Sequence, residues 1–354
     1  MKIAQIAPLC EAVPPRLYGG TERVVSHLTE ALVAQGHEVT LFAAGESKTS
    51  ARLIATRNRP MRLDAGKLTS DLASHLALLH EVRLYSREFD VLHFHIDMLH
   101  FPMFESIASR TLTTLHGRLD IADLRQAYAR WPMFPLVSIS DRQRLDLPSA
   151  NWHGTVHHGI NPQAYRFNAS GDGDYLAFLG RISPEKRPDR AIEIAKASGV
   201  PIRLAAKVDR VDREYFEQKI RPMLDHPLVD FVGEIGDDQK AEFLGNARAL
   251  LFPIDWPEPF GLVVVEAMAC GTPVIAWNCG AVPELIDNGR TGWILDDMAQ
   301  AVAAVDAVRG LPRAQVRAAF ENHFTADAMA SRYVRLYRRL AQVEGEAWLE
   351  SEAA

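Results

Sequence analysis

The chain reads as an α/β protein made of two Rossmann-like, doubly wound parallel-sheet domains. Three observations lead there. Short apolar runs alternate with amphipathic helical segments along most of its length, the pattern of a parallel sheet wrapped by helices. A run of turn formers without periodicity, Tyr165 to Asp174, interrupts the alternation, which then restarts. Finally, 354 residues of which 47% are hydrophobic are too many for one ordinary core and ample for two. The boundaries that follow are 1–165, 174–324 and a terminal segment 325–354.

In the first domain Lys2 to Ala7 is an apolar run that predicts a strand. Thr21 to Gln35 places Val24, Val25, Leu28, Leu32 and Val33 on one helical face and stops at Gly36. Then follow a strand over Glu38 to Ala43, a helix within Leu68 to Arg87, strands over Asp90 to Phe94 and Thr111 to Leu115, a helix over Asp120 to Ala129 and a strand over Pro135 to Ile139. The second domain opens with a strand over Tyr175 to Leu179. It continues with a helix over Ala191 to Ala197, a strand over Ile202 to Ala206, a helix over Arg213 to Leu224, a strand over Val229 to Val232 and a helix over Asp238 to Asn246. Ala249 to Ile254 is a buried strand, a helix runs from Leu262 to Cys270-Gly271, and Pro273 to Trp277 is the next strand. Thr325 to Val343 is one amphipathic helix with Tyr333, Leu336 and Leu340 on its apolar side, read as a brace that crosses back to the first domain.

The bulk properties narrow the function classes. A net charge of −6 and a pI near 6.1 give no general footprint for nucleic acid, so a phosphate-bearing ligand must be met by a few local cations. Cys10, Cys270 and Cys279 show neither close-spaced pairing nor a Cys-x-x-Cys arrangement, which fits a reducing compartment. The start lacks a signal-peptide profile, and no apolar run approaches the roughly 18 residues of a membrane span, so a cytoplasmic protein is expected. Nothing indicates a membrane contact, and oligomeric state is left open.

In doubly wound sheets ligands sit beyond the carboxyl ends of strands. The polar and glycine motifs follow strands repeatedly: Gly19-Gly20 after the first, His116-Gly117 after Thr111 to Leu115, Gly180-Arg181 after Tyr175 to Leu179, and Glu258 after Ala249 to Pro253. Two come from each domain, which predicts a single cleft between the domains. Backbone amides at Gly19-Gly20 suit an oxyanion, but the Gly-x-Gly-x-x-Gly fingerprint of dinucleotide enzymes occurs nowhere. Arg181 and Lys186 lie on a proline-stiffened loop that can set two cations against a pyrophosphate. His93 and His95 share one strand face without a third metal ligand, so no metal site is expected. Asp172-Gly-Asp174 mimics a metal-binding Asp-x-Asp but lies in the linker, before its strand.

The richest stretch is 256–273, with Glu258 and Glu266 eight positions apart. Pro257 and Pro259 hold Glu258 in a loop, and Glu266 falls about one turn inside the following helix. The first helical amides, around Phe260, Gly261 and Leu262, favour an anionic ligand. The two glutamates do not suit a retaining glycosidase: eight helical steps of ~1.5 Å separate their backbones by roughly 12 Å, whereas such enzymes hold their carboxyls about 5 to 5.5 Å apart. They suit two parts of one extended ligand, and carboxylates pair naturally with vicinal hydroxyls.

Glu258-x7-Glu266 within Pro-Glu-Pro-Phe-Gly-Leu-Val-Val-Val-Glu-Ala-Met-Ala-Cys-Gly-Thr-Pro-Val resembles the signature of the family 4 retaining glycosyltransferases, whose fold is GT-B. Also similar are Tyr18-Gly-Gly-Thr-Glu22, Thr114-Leu-His-Gly117, Gly180-Arg181 with Lys186, and the run from Gly280 to Gly292. The resemblance covers the whole chain and points to a bacterial branch.

It implies an NDP-sugar, UDP-glucose or a close relative, whose nucleotide lies mainly on the second domain. Glu266 would take the ribose hydroxyls, Arg181 and Lys186 the diphosphate, and amides around Gly20 and Leu262, with Gly19 and Val263 beside them, the phosphates. Glu258 with the Phe260-Gly261 backbone would hold the sugar, His116 a sugar hydroxyl, and the loop from Val232 to Ile235 the base. The family further implies front-face transfer with retention and without a metal or other cofactor. The acceptor, a small molecule or glycan, would meet the first domain near Tyr18, Asp97 and Arg118. Two other classes stay open: a GT-B UDP-sugar 2-epimerase, and a silent nucleotide-sugar binding protein.

Overall fold

A computed structural model describes residues 1–17, 19–62, 64, 70–171 and 173–352, with side chains through 341. It divides into two compact units, the first formed by Met1–Gly159 with the terminal segment from Ala326, the second by Ile160–Thr325.

The first unit holds seven parallel strands: β1 (Lys2–Ile6), β2 (Glu38–Ala43), β3 (Arg52–Ala55), β4 (Val91–Phe94), β5 (Thr111–Thr114), β6 (Leu136–Ser138) and β7 (Trp152–Thr155). Their spatial order is β3-β2-β1-β4-β5-β6-β7. Ile3 pairs with Val39 on one side and Val91 on the other, so the winding reverses between β1 and β4. That reversal is the switch point at which doubly wound sheets bind ligands. Strands β4 and β5 are buried at every residue, as expected of parallel strands covered on both faces. The second unit repeats the plan with β8 (Leu176–Arg181), β9 (Ile202–Lys207), β10 (Val229–Gly233), β11 (Ala249–Phe252), β12 (Val274–Trp277) and β13 (Gly292–Leu295), in the order β10-β9-β8-β11-β12-β13. Its switch point lies between β8 and β11, the strands that deliver Arg181 and the Glu258 loop.

Several expectations need correction. The division falls at Gly159 and Ile160, not within Tyr165 to Asp174. Tyr165 is buried in the second unit, where its hydroxyl donates to Glu266, and Asn168 N–H donates to the Cys270 carbonyl. Arg313 ties the turn-rich run down by donating to the carbonyls of Asn168, Gly245 and Ala247. The single helix expected over Arg213 to Leu224 is a short α-turn, a π-turn over Phe216–Ile220 and a 3₁₀ turn over Arg221–Met223. Pro222 supplies no N–H to an α-helical ladder, which accounts for the break.

The helix expected within Leu68 to Arg87 runs over Asp71–Tyr85, with Ser70 capping it by accepting from the Ala73 amide; Leu68 itself lies outside the described residues. The terminal helix, Ala326–Glu352, buries Tyr333, Val334, Leu336, Tyr337 and Leu340 on the first unit. Among the described residues no helix is long and apolar enough to cross a membrane.

Candidate active site

In the second unit the Glu258 loop is built from behind. Wholly buried β11 ends at Phe252, and Pro257 and Pro259 keep the chain around Glu258 out of a helix. Gly261 then turns the backbone at φ +97°, where a Cβ would approach the Phe252 ring to 3.2 Å, and the helix Leu262–Ala269 begins. A second segment clamps the loop. Gly280, at φ +59°, lies so close that a Cβ there would fall 2.4 Å from both the nitrogen and the oxygen of Glu258. The Ala281 amide donates to the Glu258 carbonyl at 3.0 Å, and the Cys279 thiol donates to the Trp256 carbonyl at 3.0 Å.

Two cations lie at and just past the end of β8. The Lys186 ammonium is ion-paired with the Glu258 carboxylate and stands over the Trp256 ring, 5.1 Å from its centroid. The loop carrying Lys186 is tied to the Glu258 loop by the Asp255 amide donating to the Glu185 carbonyl at 2.8 Å and by the Arg187–Asp255 pair at 2.8 Å. Arg187 takes a left-handed turn, φ +53°, and its guanidinium also grips Asp189 at 3.0 Å. Arg181 is ringed by carboxylates: Glu185 at 2.5 Å, Asp212 at 3.4 Å and Asp209 at 3.9 Å. Burial, opposed by Arg181 and reinforced by Glu185 and Asp209, holds the Asp212 carboxyl above its ordinary value. Arg181 and Lys186 are therefore not brought together as one bare cationic pair; each is already balanced by acids.

Glu266 is 3% exposed, one turn inside its helix. Its Oε1 accepts from the Tyr165 hydroxyl at 2.7 Å and from the Lys240 ammonium at 2.9 Å. The helix is otherwise buried from Val264 to Ala269, while Leu262 and Val263 remain half-buried at its start. Phe260 is buried against Phe324. Val232 is exposed and Ile235 buried, on either side of Gly233 at the end of β10.

The first unit positions the remaining residues. Gly19 is extended and backed by Pro15, Gly20 opens the helix Gly20–Ala34 with free space where a Cβ would stand, and Tyr18 lies outside the described residues. Asp97 follows β4 in a left-handed conformation, φ +51°, uncommon for a residue with a side chain. Burial of the Tyr128 ring, and after it the nearby charge of Asp97, push the Tyr128 phenol up. Arg118 is committed to Asp120 through two bonds of 2.7 Å. His116 follows β5; burial of its ring pushes its pKa down to about 3, so it is neutral, and its Nε2 meets His95 Nδ1 at 2.8 Å.

Comparison with known proteins gives the family and the fold. Residues 18–150 match the family model Glycosyltransferase Family 4, and residues 163–318 match Glycosyl transferases group 1. The chain belongs to the family 4 glycosyltransferases. This transferase is 26% identical to the phosphatidyl-myo-inositol mannosyltransferase of Mycobacterium leprae over 96% of its own length and 97% of that protein. Among solved structures it resembles AviGT4, a glycosyltransferase involved in avilamycin A biosynthesis, at 25% identity with a TM-score of 0.74, covering 96% of this chain and 98% of that one. It also resembles Anabaena HepE, solved in complex with UDP-glucose, at 17% identity with a TM-score of 0.70, covering 98% of this chain and all of that one (100%). These neighbours share the GT-B fold of two Rossmann-like domains.

The transferase contains site features that its sequence did not announce. Tyr165, Lys240 and Gly280 support the two glutamates from positions remote in the chain, and Asp209 and Asp212 engage Arg181 from the segment after β9. Only Gly280 carried a signal, as part of the glycine-rich run ending at Gly292, and that run gave no hint of which backbone it touches.

Proposed function

We propose that this glycosyltransferase moves a hexose, glucose, from a UDP-sugar to a hydroxyl acceptor, with retention at the anomeric carbon. The observation that carries the reading is the pair of glutamates at the β8–β11 switch point: Glu258 in a clamped loop with Lys186 on its carboxylate, and Glu266 buried one turn inside the helix that follows. Their separation suits the two ends of one donor. Glu266, oriented by Tyr165 and Lys240, takes the ribose hydroxyls; Glu258 takes the sugar hydroxyls; and amides at the start of Leu262–Ala269 face the diphosphate. Arg181 and Lys186 meet the charge that grows on the leaving diphosphate, so that no metal is required. The backbone from Val232 to Ile235 receives the base. The Anabaena neighbour, solved with UDP-glucose, supports the choice of nucleotide and sugar.

In the reaction the bond from the anomeric carbon to the diphosphate oxygen breaks while the acceptor oxygen bonds to that carbon on the same face. The acceptor proton passes to the departing phosphate oxygen. On the first unit, Gly19 and Gly20 offer backbone to a phosphate, His116 accepts from a sugar hydroxyl, and Asp97 and Arg118 with the Tyr18 segment meet the acceptor.

A thermal-shift panel of UDP-, GDP- and ADP-glucose tests the donor, because a ligand bound only by the native state raises apparent stability. UDP-glucose is expected to give the largest rise, and no rise with any nucleotide would remove the reading. NMR of UDP-sugars incubated with the enzyme alone separates transfer from epimerisation, since only a 2-epimerase changes the donor without an acceptor.

A further inference from the structure

Inside the first unit a continuous chain of hydrogen bonds runs from the terminal helix to His116. Gln5 lies on β1, His93 and His95 on β4 or just past it, and the pairing of Gln5 with His93 across the two strands sets them side by side. All three are buried, with Gln5 and His93 fully so. The Gln5 amide nitrogen donates to the Tyr337 hydroxyl at 3.2 Å, and that hydroxyl stands 2.7 Å from His93 Nδ1. The Gln5 amide oxygen stands 2.8 Å from His95 Nε2, and His95 Nδ1 stands 2.8 Å from His116 Nε2.

The polarity of this chain follows from donor counting. An amide nitrogen only donates and an amide oxygen only accepts. With its nitrogen turned to Tyr337, Gln5 offers only its oxygen to His95, so His95 must carry its proton on Nε2. A neutral imidazole carries one proton, so His95 Nδ1 is an acceptor, and His116 must donate from Nε2. His116 Nδ1 is then a lone pair, and it is a buried nitrogen with no hydrogen-bond partner among the described residues. A buried acceptor left so is destabilising, and a ligand's donor would relieve it.

We propose that Gln5 and His95 are positioning residues that lock His116 in its Nε2–H tautomer, so that Nδ1 accepts from a substrate hydroxyl. This rests on the reading that His116 faces the substrate. Its consequence is selectivity: a hydroxyl can donate to Nδ1, whereas a phosphate or carboxylate oxygen has no proton to give and a deoxy position has neither. A site made to bond a hydroxyl discriminates strongly against the analogue lacking it.

The test is a long-range ¹⁵N–¹H correlation spectrum of the full-length protein labelled with ¹⁵N-histidine, with His116→Asn used to assign the signals. The wild type is expected to show His116 Nδ1 as an unprotonated, pyridine-type nitrogen. Gln5→Met keeps the length of the side chain and removes the amide oxygen; it is expected to let His95 and His116 turn over together, so that protonated Nδ1 appears at His116. In the same variant kcat with UDP-glucose should fall by about tenfold, the worth of one misdirected hydrogen bond. A protonated Nδ1 in the wild type overturns the proposal, and this spectrum stands even if the variants fail to fold. A Gln5→Met or Gln5→Leu spectrum unchanged at His116 overturns the role of Gln5. If the tautomer behaves as expected but UDP-glucose proves not to be a substrate, the donor assignment fails and the lock does not.

Discussion

Replacing Gly280 by alanine perturbs Glu258 without touching its side chain. The new Cβ would stand 2.4 Å from the Glu258 nitrogen and oxygen, where ordinary contact begins at 3.4 Å, so one backbone must move by about 1 Å. The left-handed backbone at φ +59° adds about 1–2 kcal/mol for a residue with a Cβ, and forced overpacking adds about 1–3 kcal/mol. The expected loss of stability is thus about 2–5 kcal/mol, read by urea denaturation. A 1 Å misplacement at a reacting site costs on the order of 100-fold in rate, so kcat/KM should fall by that factor where the fold survives. Gly199→Ala separates strain from clash, because Gly199 has φ +70° and no heavy atom within 4 Å of its would-be Cβ. It should lose about 1–2 kcal/mol and no activity. If Gly280→Ala keeps wild-type kcat/KM, the contact with Glu258 has no part in positioning that residue for catalysis.

Other outcomes follow from the same contacts. Tyr165→Phe removes a donor from Glu266 Oε1 and should raise the donor KM by roughly threefold to tenfold with kcat little changed; a fall in kcat alone would contradict a ribose role. Lys186→Met leaves the Glu258 carboxylate without its ammonium and removes a charge from the leaving diphosphate, so steady-state kcat/KM should drop by about 100-fold; a change under twofold would take Lys186 out of the site. His93, His95, His100 and His158 are held well below their ordinary value by burial, and His116 is held at about 3. The unfolded chain therefore binds more protons than the native one below pH ~6.5, and stability must fall as the pH drops from there toward 3, by up to about 1.4 kcal/mol per histidine per pH unit. Urea denaturation at pH 7.5 and 5.5 checks the sign.

The fold was legible where burial imposed a pattern. Strands β1, β2, β4 and β11 are nearly continuous apolar runs, so their positions follow from the sequence to within a residue or two. The strands β3 and β7 carry no such run because they lie at the two sheet edges and are only partly buried. The strand Gly292–Leu295 and the helices Met298–Ala307 and Arg313–His323 likewise went unread. The positions of Glu258, Glu266, Arg181, Lys186 and His116 followed from motifs at strand ends, which local chemistry dictates. Their partners did not: the bonds of Tyr165 to Glu266, Asp212 to Arg181 and Gln5 to His95 depend on which strands become neighbours, and no spacing along the chain encodes that.

The central claim is that Glu266 and Glu258 grip opposite ends of one donor, and a binding titration with UDP and with UDP-glucose tests it most directly. Glu266→Ala should weaken both ligands by a similar factor of about 10 to 100, because both contain the ribose. Glu258→Ala should leave UDP within about twofold of wild type and weaken UDP-glucose by about tenfold, the worth of its sugar hydrogen bonds. If Glu258→Ala weakens UDP as much as UDP-glucose, or Glu266→Ala weakens neither, the two glutamates are not two grips on one nucleotide sugar.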